Sequence, residues 1–275
     1  MIRKKLSKYW RAKSSIVNSK QLDPIGIHCH SLHVCYGRHV AIEKLTGVFE
    51  PGTLTAIVGP NGGGKSTLLK VMNGTHPHER GAIKISPSVQ DHIAYLPQHT
   101  EIDRSFPISV KDLVAMGLCH QQGFFTGITE GACSSIDQSL ERVGMLDCKD
   151  RSLHTLSGGQ LQRTLFARMA VQNAPIILLD EPFAAIDAPT MEILADILCM
   201  WQQQGRTLVV VLHDLDIVRE FFPQTLILAR QSVAWGATQD VLTLENLRRA
   251  KNLSRGWEVT SCGVAAVPNG VSAIA

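Results

Sequence analysis

The chain has 275 residues, is 44% hydrophobic and 19% charged, and so has the composition of an ordinary globular protein. Its net charge of +3 combines seven Lys and Arg side chains within residues 1–20 with a charge of −4 on the rest; this argues against a DNA-wrapping protein, whose positive charge lies over a folded face. No apolar run approaches the roughly 18–20 residues that cross a bilayer, and seven cysteines without a CxxC pair favour free thiols in a reducing compartment.

Residues 1–26 form a basic arm that lacks the apolar stretch of a secretory signal. The arm has two interpretations. It is a disordered start of the chain, or it contacts an anionic membrane surface.

A His- and Cys-rich tract begins the first predicted strand, and soft ligands at close spacing suit zinc. On a regular strand His28 and His30 face one side, while Cys29, His33 and Cys35 face the other. Four ligands therefore do not converge without help from elsewhere. We favour strand packing for this tract, with a metal-sensing site as the alternative.

A phosphate-binding loop follows the short apolar run Leu54–Val58, which is typical of a strand. Gly59 begins the pattern GxxxxGK[ST], and a helix is predicted from Ser66. The glycines let backbone N–H groups surround phosphate oxygens at a helix N-terminus, Lys65 reaches the β- and γ-phosphates, and the Ser66 hydroxyl is a Mg²⁺ ligand. The predicted nucleotide-binding residues here are Gly59, Pro60, Asn61, Gly62, Gly63, Gly64, Lys65, Ser66 and Thr67.

Two helix starts are predicted further along the chain. Ser109, with Asp112 three residues on, forms a capping-box pattern. Ser157, in the sequence LSGGQ, is a good N-cap, and the two glycines after it expose N–H groups to an anion. The helix after Ser157 places three apolar residues on one stripe, namely Leu161, Leu165 and Met169.

A strand is predicted at Ile176–Asp180, since a continuous apolar run suits a strand buried on both faces of a parallel sheet. Two acids, Asp180 and Glu181, stand at its carboxyl end. Ligands bind at the carboxyl ends of such strands. Asp180 is predicted to hold the Mg²⁺ shell, and Glu181 to polarise the attacking water.

The P-loop, LSGGQ and ILLDE, in this order, resemble the ATP-binding cassette (ABC) family over residues 27–245. The resemblance implies an α/β fold: a P-loop NTPase core with a mostly parallel sheet, a small antiparallel β part and an inserted helical subdomain at about residues 98–173. Residues 246–275 are then a C-terminal tail.

The resemblance also implies roles for four residues outside the three motifs. Tyr36 resembles the aromatic residue that stacks on adenine, and Gln98 the glutamine that bridges Mg²⁺ and water. Asp187 resembles the acid that crosses the dimer, and His213 the histidine that contacts the γ-phosphate. Two details depart from the common pattern: Gly63 stands where alanine is frequent, and Ala184-Ala185-Ile186 replaces a more usual Ser-Ala-Leu.

The family works as a homodimer in which each chain completes the ATP site of the other. The implied catalytic residues are Glu181 and His213. The implied Mg²⁺ ligands are Ser66, Gln98 and Asp180, so the cofactors are ATP and Mg²⁺. The residues implied to act across the dimer are Ser157, Gly158, Gly159, Gln160 and Asp187.

The segments IDRSFP, EPFAAID and VLHDLDIVREFFP are similar to cassettes of the zinc and manganese importer branch, with zinc uptake the nearest likeness. This implies an ATPase on the cytoplasmic face of a bacterial inner membrane. Its partners would be integral-membrane permease subunits and, indirectly, an extracytoplasmic metal-binding protein, with no nucleic acid. The alternatives are a transporter of another solute and a soluble ABC ATPase; the single cassette and the lack of coiled-coil heptads argue against the second.

Overall fold

A computed structural model describes residues 25–85, 92–98, 106–118 and 129–255. Most of the predicted basic arm, residues 102–105 of the importer-like segment IDRSFP and residues 256–275 lie outside these ranges. The strands are β1 (Ile27–Tyr36), β2 (His39–Phe49), β3 (Leu54–Val58), β4 (Arg80–Lys84), β5 (Ile93–Leu96), β6 (Ile176–Asp180), β7 (Thr207–Val211), β8 (Gln224–Ala229) and β9 (Gln231–Ala237). The helices are α1 (Lys65–Met72), α2 (Val110–Ala115), α3 (Glu130–Arg142), α4 (Gly158–Gln172), α5 (Ala188–Gln203), α6 (Leu215–Phe221), α7 (Thr238–Val241) and α8 (Leu244–Arg255).

The main sheet has six strands in the order β5-β6-β7-β3-β8-β9. Its strands are parallel except β9, which pairs antiparallel with β8. Every residue of β3, β6 and β7 is buried, as the continuous apolar runs predict for strands covered on both faces. The predicted α/β class with a mostly parallel sheet is confirmed.

The hydrophobic core lies in two layers, one on each face of this sheet. Because side chains alternate along a strand, Leu54, Ala56 and Val58 of β3 join the layer that contains the helical lobe, while Ile57 joins the other. The second layer packs against α1 and against a three-stranded antiparallel sheet ordered β2-β1-β4. The strand carrying the phosphate loop is therefore held from both sides.

Strand β1 contains a bulge that changes the facing of the His- and Cys-rich tract. Ser31 has φ 46°, and the pairing with β2 shifts between Cys29 and Leu32. After the shift Leu32 and Val34 take the buried face that Cys29 held, so the prediction that His33 faces the same side as Cys29 is wrong. Within the described ranges, no group of three or more His, Cys, Asp or Glu residues could hold a metal ion.

The helical lobe contains α2, α3 and α4, which pack on one another. Both predicted helix starts are confirmed: Ser109 forms a capping box with Asp112, and Ser157 forms one with Gln160. The stripe predicted on α4 is buried, at Leu161, Leu165 and Met169.

Helix α8 crosses the predicted domain boundary after residue 245. Ala250 is buried in the core and Leu247 packs against it, and the helix contacts β8 and β9. Because these apolar residues recur at helical spacing, the packed domain continues to Arg255. In the part of the chain that the structure describes, no helix is both long and apolar enough to cross a membrane.

Candidate active site

The predicted site residues follow the carboxyl ends of neighbouring parallel strands. The phosphate loop follows β3, Asp180 ends β6 and His213 comes two residues after β7. Because these strands run in the same direction, their ends meet at one edge of the sheet. The open pocket there, of about 640 Å³, is lined by Tyr36, His39, Val40, Ala41, Asn61, Gly62, Gly63, Gly64, Lys65, Ser66, Thr67, Gln98, Glu181, His213 and Arg230.

The phosphate loop needs glycine because neighbouring backbone lies against it. A Cβ atom on Gly59 would lie 2.0 Å from the Leu228 carbonyl oxygen, and one on Gly64 2.4 Å from that of Ala41. Both glycines also have positive φ, 149° and 90°, which other residues rarely adopt. A Cβ on Gly63 would lie 2.7 Å from the Leu228 oxygen, so the loop is closely packed where the family often has alanine.

Lys65 begins α1 and is only 6% exposed. Its Nζ donates to the carbonyl oxygens of Gly59 and Pro60, both at 3.0 Å. Burial lowers the pKa of Lys65, while the negative charges of Glu181 and Asp180 act to raise it. An ammonium group held here by two neutral carbonyls can donate to phosphate oxygens instead, which are stronger, charged acceptors.

Two side chains from separate segments converge on the carboxylate of Glu181. The Oε1 atom of Glu181 lies 2.5 Å from Nε2 of His213, and its Oε2 atom accepts from Nε2 of Gln98 at 3.2 Å. The backbone N–H of Glu181 donates to the Val211 carbonyl. The sequence predicted the members of this group, and the structure brings them together at the pocket.

The oxygen donors at this edge fit Mg²⁺, a hard cation that prefers carboxylate and hydroxyl oxygens. Ser66 and Gln98 line the pocket. Asp180 does not line it; the residue is 2% exposed and acts electrostatically on Lys65. These are the three residues that the sequence predicts as ligands.

Four pocket residues were not predicted from the sequence, namely His39, Val40, Ala41 and Arg230. His39 begins β2 directly across the hairpin from Tyr36. Arg230 lies in the turn between β8 and β9, where its N–H donates to the Gly63 carbonyl and its own carbonyl accepts from Glu43 N–H. Long-range contacts bring Arg230 to the pocket, so no local sequence signal could have found it. His39 lies across a two-residue turn from the predicted Tyr36, so the hairpin itself places it there.

The LSGGQ segment and Asp187 do not line this pocket. Asp187 caps α5 by accepting from Thr190 N–H at 3.0 Å, and hydrogen bonds from Thr190 lower the pKa of Asp187. Gly159 packs near Thr190, but a Cβ atom on Gly158 would find only the Ala185 oxygen, at 3.9 Å. Within one chain, these predicted residues lie apart from the phosphate loop.

The fold and the pocket define a P-loop nucleoside triphosphatase. The profile of the ABC transporter family matches residues 42–184, and the chain belongs to that family as its ATP-binding, ATP-hydrolysing cassette.

Curated relatives carry the names of metal transport proteins. The chain is 37% identical over 236 residues to the manganese transport system ATP-binding protein MntA of Synechocystis sp., which covers 82% of this chain and 90% of that protein. It is 38% identical over 223 residues to MntB of Listeria monocytogenes, also a manganese transport protein (80% and 93% covered). It is 38% identical over 203 residues to the zinc transport system ATP-binding protein TroB of Treponema pallidum (72% and 76% covered).

Solved structures share the fold. An inward-facing ABC transporter assigned to the metal-chelate type superposes with a TM-score of 0.73 at 29% identity, over 83% of this chain and 89% of that one. A dimeric bacterial ABC transporter cassette superposes with a TM-score of 0.67 at 22% identity, over 77% and 98%. The second likeness shows the fold alone.

Proposed function

We propose that this chain is the energy-coupling ATPase subunit of an importer for a divalent transition metal. The observation that carries the ATPase assignment is the convergence of Gln98, Glu181 and His213 on the pocket formed by the phosphate loop. The metal is suggested by the names of relatives, which include manganese and zinc transport proteins. The choice of zinc over manganese stays a prediction from the sequence.

In the proposed mechanism, Lys65 and the N–H groups of the loop hold the β- and γ-phosphates of ATP. Bound Mg²⁺, held by Ser66, Gln98 and Asp180, would neutralise charge on the phosphate oxygens. Glu181 accepts a proton from water as the water oxygen bonds to the γ-phosphorus. The bond from that phosphorus to the bridging oxygen then breaks, and ADP and phosphate are released.

The proposed working unit is a homodimer with two-fold symmetry. Ser157, Gly158, Gly159, Gln160 and Asp187 would complete the ATP site of the opposite chain. Two observations support this: none of the five lines the pocket of its own chain, and the α4 N-terminus has open space at Gly158. A two-fold axis lets each chain give and receive the same residues.

Transport requires partners that cross the bilayer, and we propose permease subunits with this chain on the cytoplasmic face. Phe106 and Met116 present apolar side chains that are 61% and 51% exposed, in and beside the helical lobe. Phe and Met are enriched at protein interfaces relative to the rest of the surface, so we assign these two side chains to the permease contact. An extracytoplasmic metal-binding protein would deliver the cargo to the permease.

Metal uptake by cells that lack this chain tests the proposal. Zinc, manganese and iron are supplied as radioisotopes, and the cells are complemented with wild type, with Glu181→Gln or with Glu220→Gln, an exposed acid on α6. We expect wild type and Glu220→Gln to restore uptake of one metal and Glu181→Gln to fail. Unchanged uptake of all three metals would contradict metal import and favour another solute.

A further inference from the structure

The Tyr36 ring, which resembles the adenine-stacking residue of the family, stacks on the ring of His76. Tyr36 is 46% exposed and lines the pocket, whereas His76 does not line it. The two rings are stacked with their centroids 4.3 Å apart and their planes at 25°. An aromatic ring has two faces, so His76 covers one face of Tyr36 and leaves the other for a nucleobase.

We propose that His76 is a positioning residue for nucleobase binding, because its imidazole holds the Tyr36 ring in place as a stacking platform. The inference rests on the proposed assignment of Tyr36 to the adenine base. His76 touches neither the phosphates nor the reacting atoms, so it acts through Tyr36.

The end of helix α1 fixes the position of His76. Gly74 has φ 74°, the left-handed conformation that commonly ends a helix. The N–H groups of Thr75 and His76 then both donate to the Lys70 carbonyl, at 2.9 and 3.2 Å. Helix α1 therefore begins at the phosphate loop and, just beyond its C-terminal end, positions His76 against Tyr36.

A second contact holds the end of β1 without using the His76 ring. The Oε2 atom of Glu79 accepts from the Cys35 N–H at 2.8 Å, and the Glu79 N–H donates to the His33 carbonyl at 3.0 Å. The backbone next to Tyr36 thus stays anchored when His76 is truncated. Replacing His76 should change the freedom of the Tyr36 ring and leave the fold intact.

The contact that the His76 side chain makes with Tyr36 is ring stacking. Its Nε2 atom is buried and has no hydrogen-bond partner among the described residues. Phenylalanine offers a similar flat ring without that nitrogen and should replace it. A tyrosine held in its bound orientation loses less conformational freedom when the base stacks on it, which strengthens binding.

The test compares binding of Mg·ATP with binding of Mg·tripolyphosphate, which has the phosphates but no base. We expect His76→Ala to weaken ATP binding by about 2- to 10-fold, the size of one aromatic pair contact, and to leave tripolyphosphate binding unchanged. His76→Phe should bind ATP like wild type. His78→Ala is the matched control, since His78 is exposed on the same connection.

Three results would overturn the inference. The first is wild-type ATP affinity in His76→Ala, and the second is an equal loss for ATP and tripolyphosphate, which would indicate a general disturbance of the pocket. A loss in His76→Ala that His76→Phe does not repair would also rule out a stacking role. Failure of the wild-type chain to bind ATP would instead contradict the nucleotide site itself.

Discussion

Glu181 has a backbone conformation that is rare outside glycine, with φ 51°. The left-handed region costs a non-glycine residue about 1–2 kcal/mol, so the surroundings must hold it. The Val211 carbonyl accepts its N–H, and Gln98 and His213 bond its carboxylate. The acid pair after an apolar run predicts the role of Glu181 only in combination with the preceding P-loop. The sequence could not predict its φ, because the adjacent strand β7 sets it.

Lys65→Ala should weaken ATP binding by about 10- to 100-fold, since a hydrogen bond from a charged group contributes about 1.5–3 kcal/mol. The substitution removes the buried ammonium group of Lys65, which lies within the phosphate loop. Titration with a fluorescent ATP analogue measures the effect, with Lys84→Ala, on the exposed part of β4, as the control. Wild-type affinity in Lys65→Ala would contradict the assignment of the loop.

Cys29 should resist thiol reagents in the folded chain. Burial raises the pKa of Cys29 to about 12, and only the thiolate is a good nucleophile. With maleimide at pH 8, mass spectrometry should find Cys29 unmodified, whereas the partly exposed Cys133 and Cys148 react. Denaturant should make Cys29 react like the others; equal rates in the folded chain would show that β1 does not bury it.

At the scale of single elements, the sequence predicts those strands and helix starts that depend on local residue patterns. Continuous apolar runs predicted β3 and β6, and cap residues predicted the starts of α2 and α4. Alternation failed at Ser31, because a bulge reversed the facing of the residues after it. The predicted domain boundary lies inside α8, because the few apolar residues of this helix are separated by polar and charged ones. Only tertiary packing buries these apolar residues.

The N-terminus of α4 yields a prediction that separates folding from assembly. Gly158→Ala should fold normally, because a Cβ there meets nothing closer than 3.9 Å in its own chain. In the proposed dimer that methyl group would face the nucleotide of the opposite chain, and a displacement of about 1 Å can reduce a rate by about 100-fold. Hydrolysis should fall accordingly, as measured by phosphate release.

Gly131→Ala is the matched control for Gly158→Ala. Gly131 also lies in the first turn of a helix of the same lobe, and a Cβ there meets nothing within 4 Å. We expect wild-type hydrolysis from it. Full activity in Gly158→Ala, at wild-type thermal stability, would contradict the role of the LSGGQ segment across the dimer.

At the scale of the whole molecule, the predicted site residues of one chain fall into two separated groups. The phosphate loop, Glu181 and His213 line one pocket, whereas Ser157 and Asp187 do not. Both groups were predicted from the order of motifs in the sequence, and the role of the second group across the dimer stays a prediction. Their separation depends on how the helical lobe packs on the sheet, which local patterns do not determine.

The most direct measurement is phosphate release by wild type, Glu181→Gln and Glu220→Gln at saturating Mg·ATP, followed by size-exclusion chromatography in the same buffer. Glutamine keeps the size of Glu181 but cannot accept the proton of water. We predict that Glu181→Gln retains ATP, loses hydrolysis and elutes as a dimer, while Glu220→Gln behaves as wild type. Unchanged turnover in Glu181→Gln would contradict its role as the base and, with it, the mechanism proposed for this ATPase.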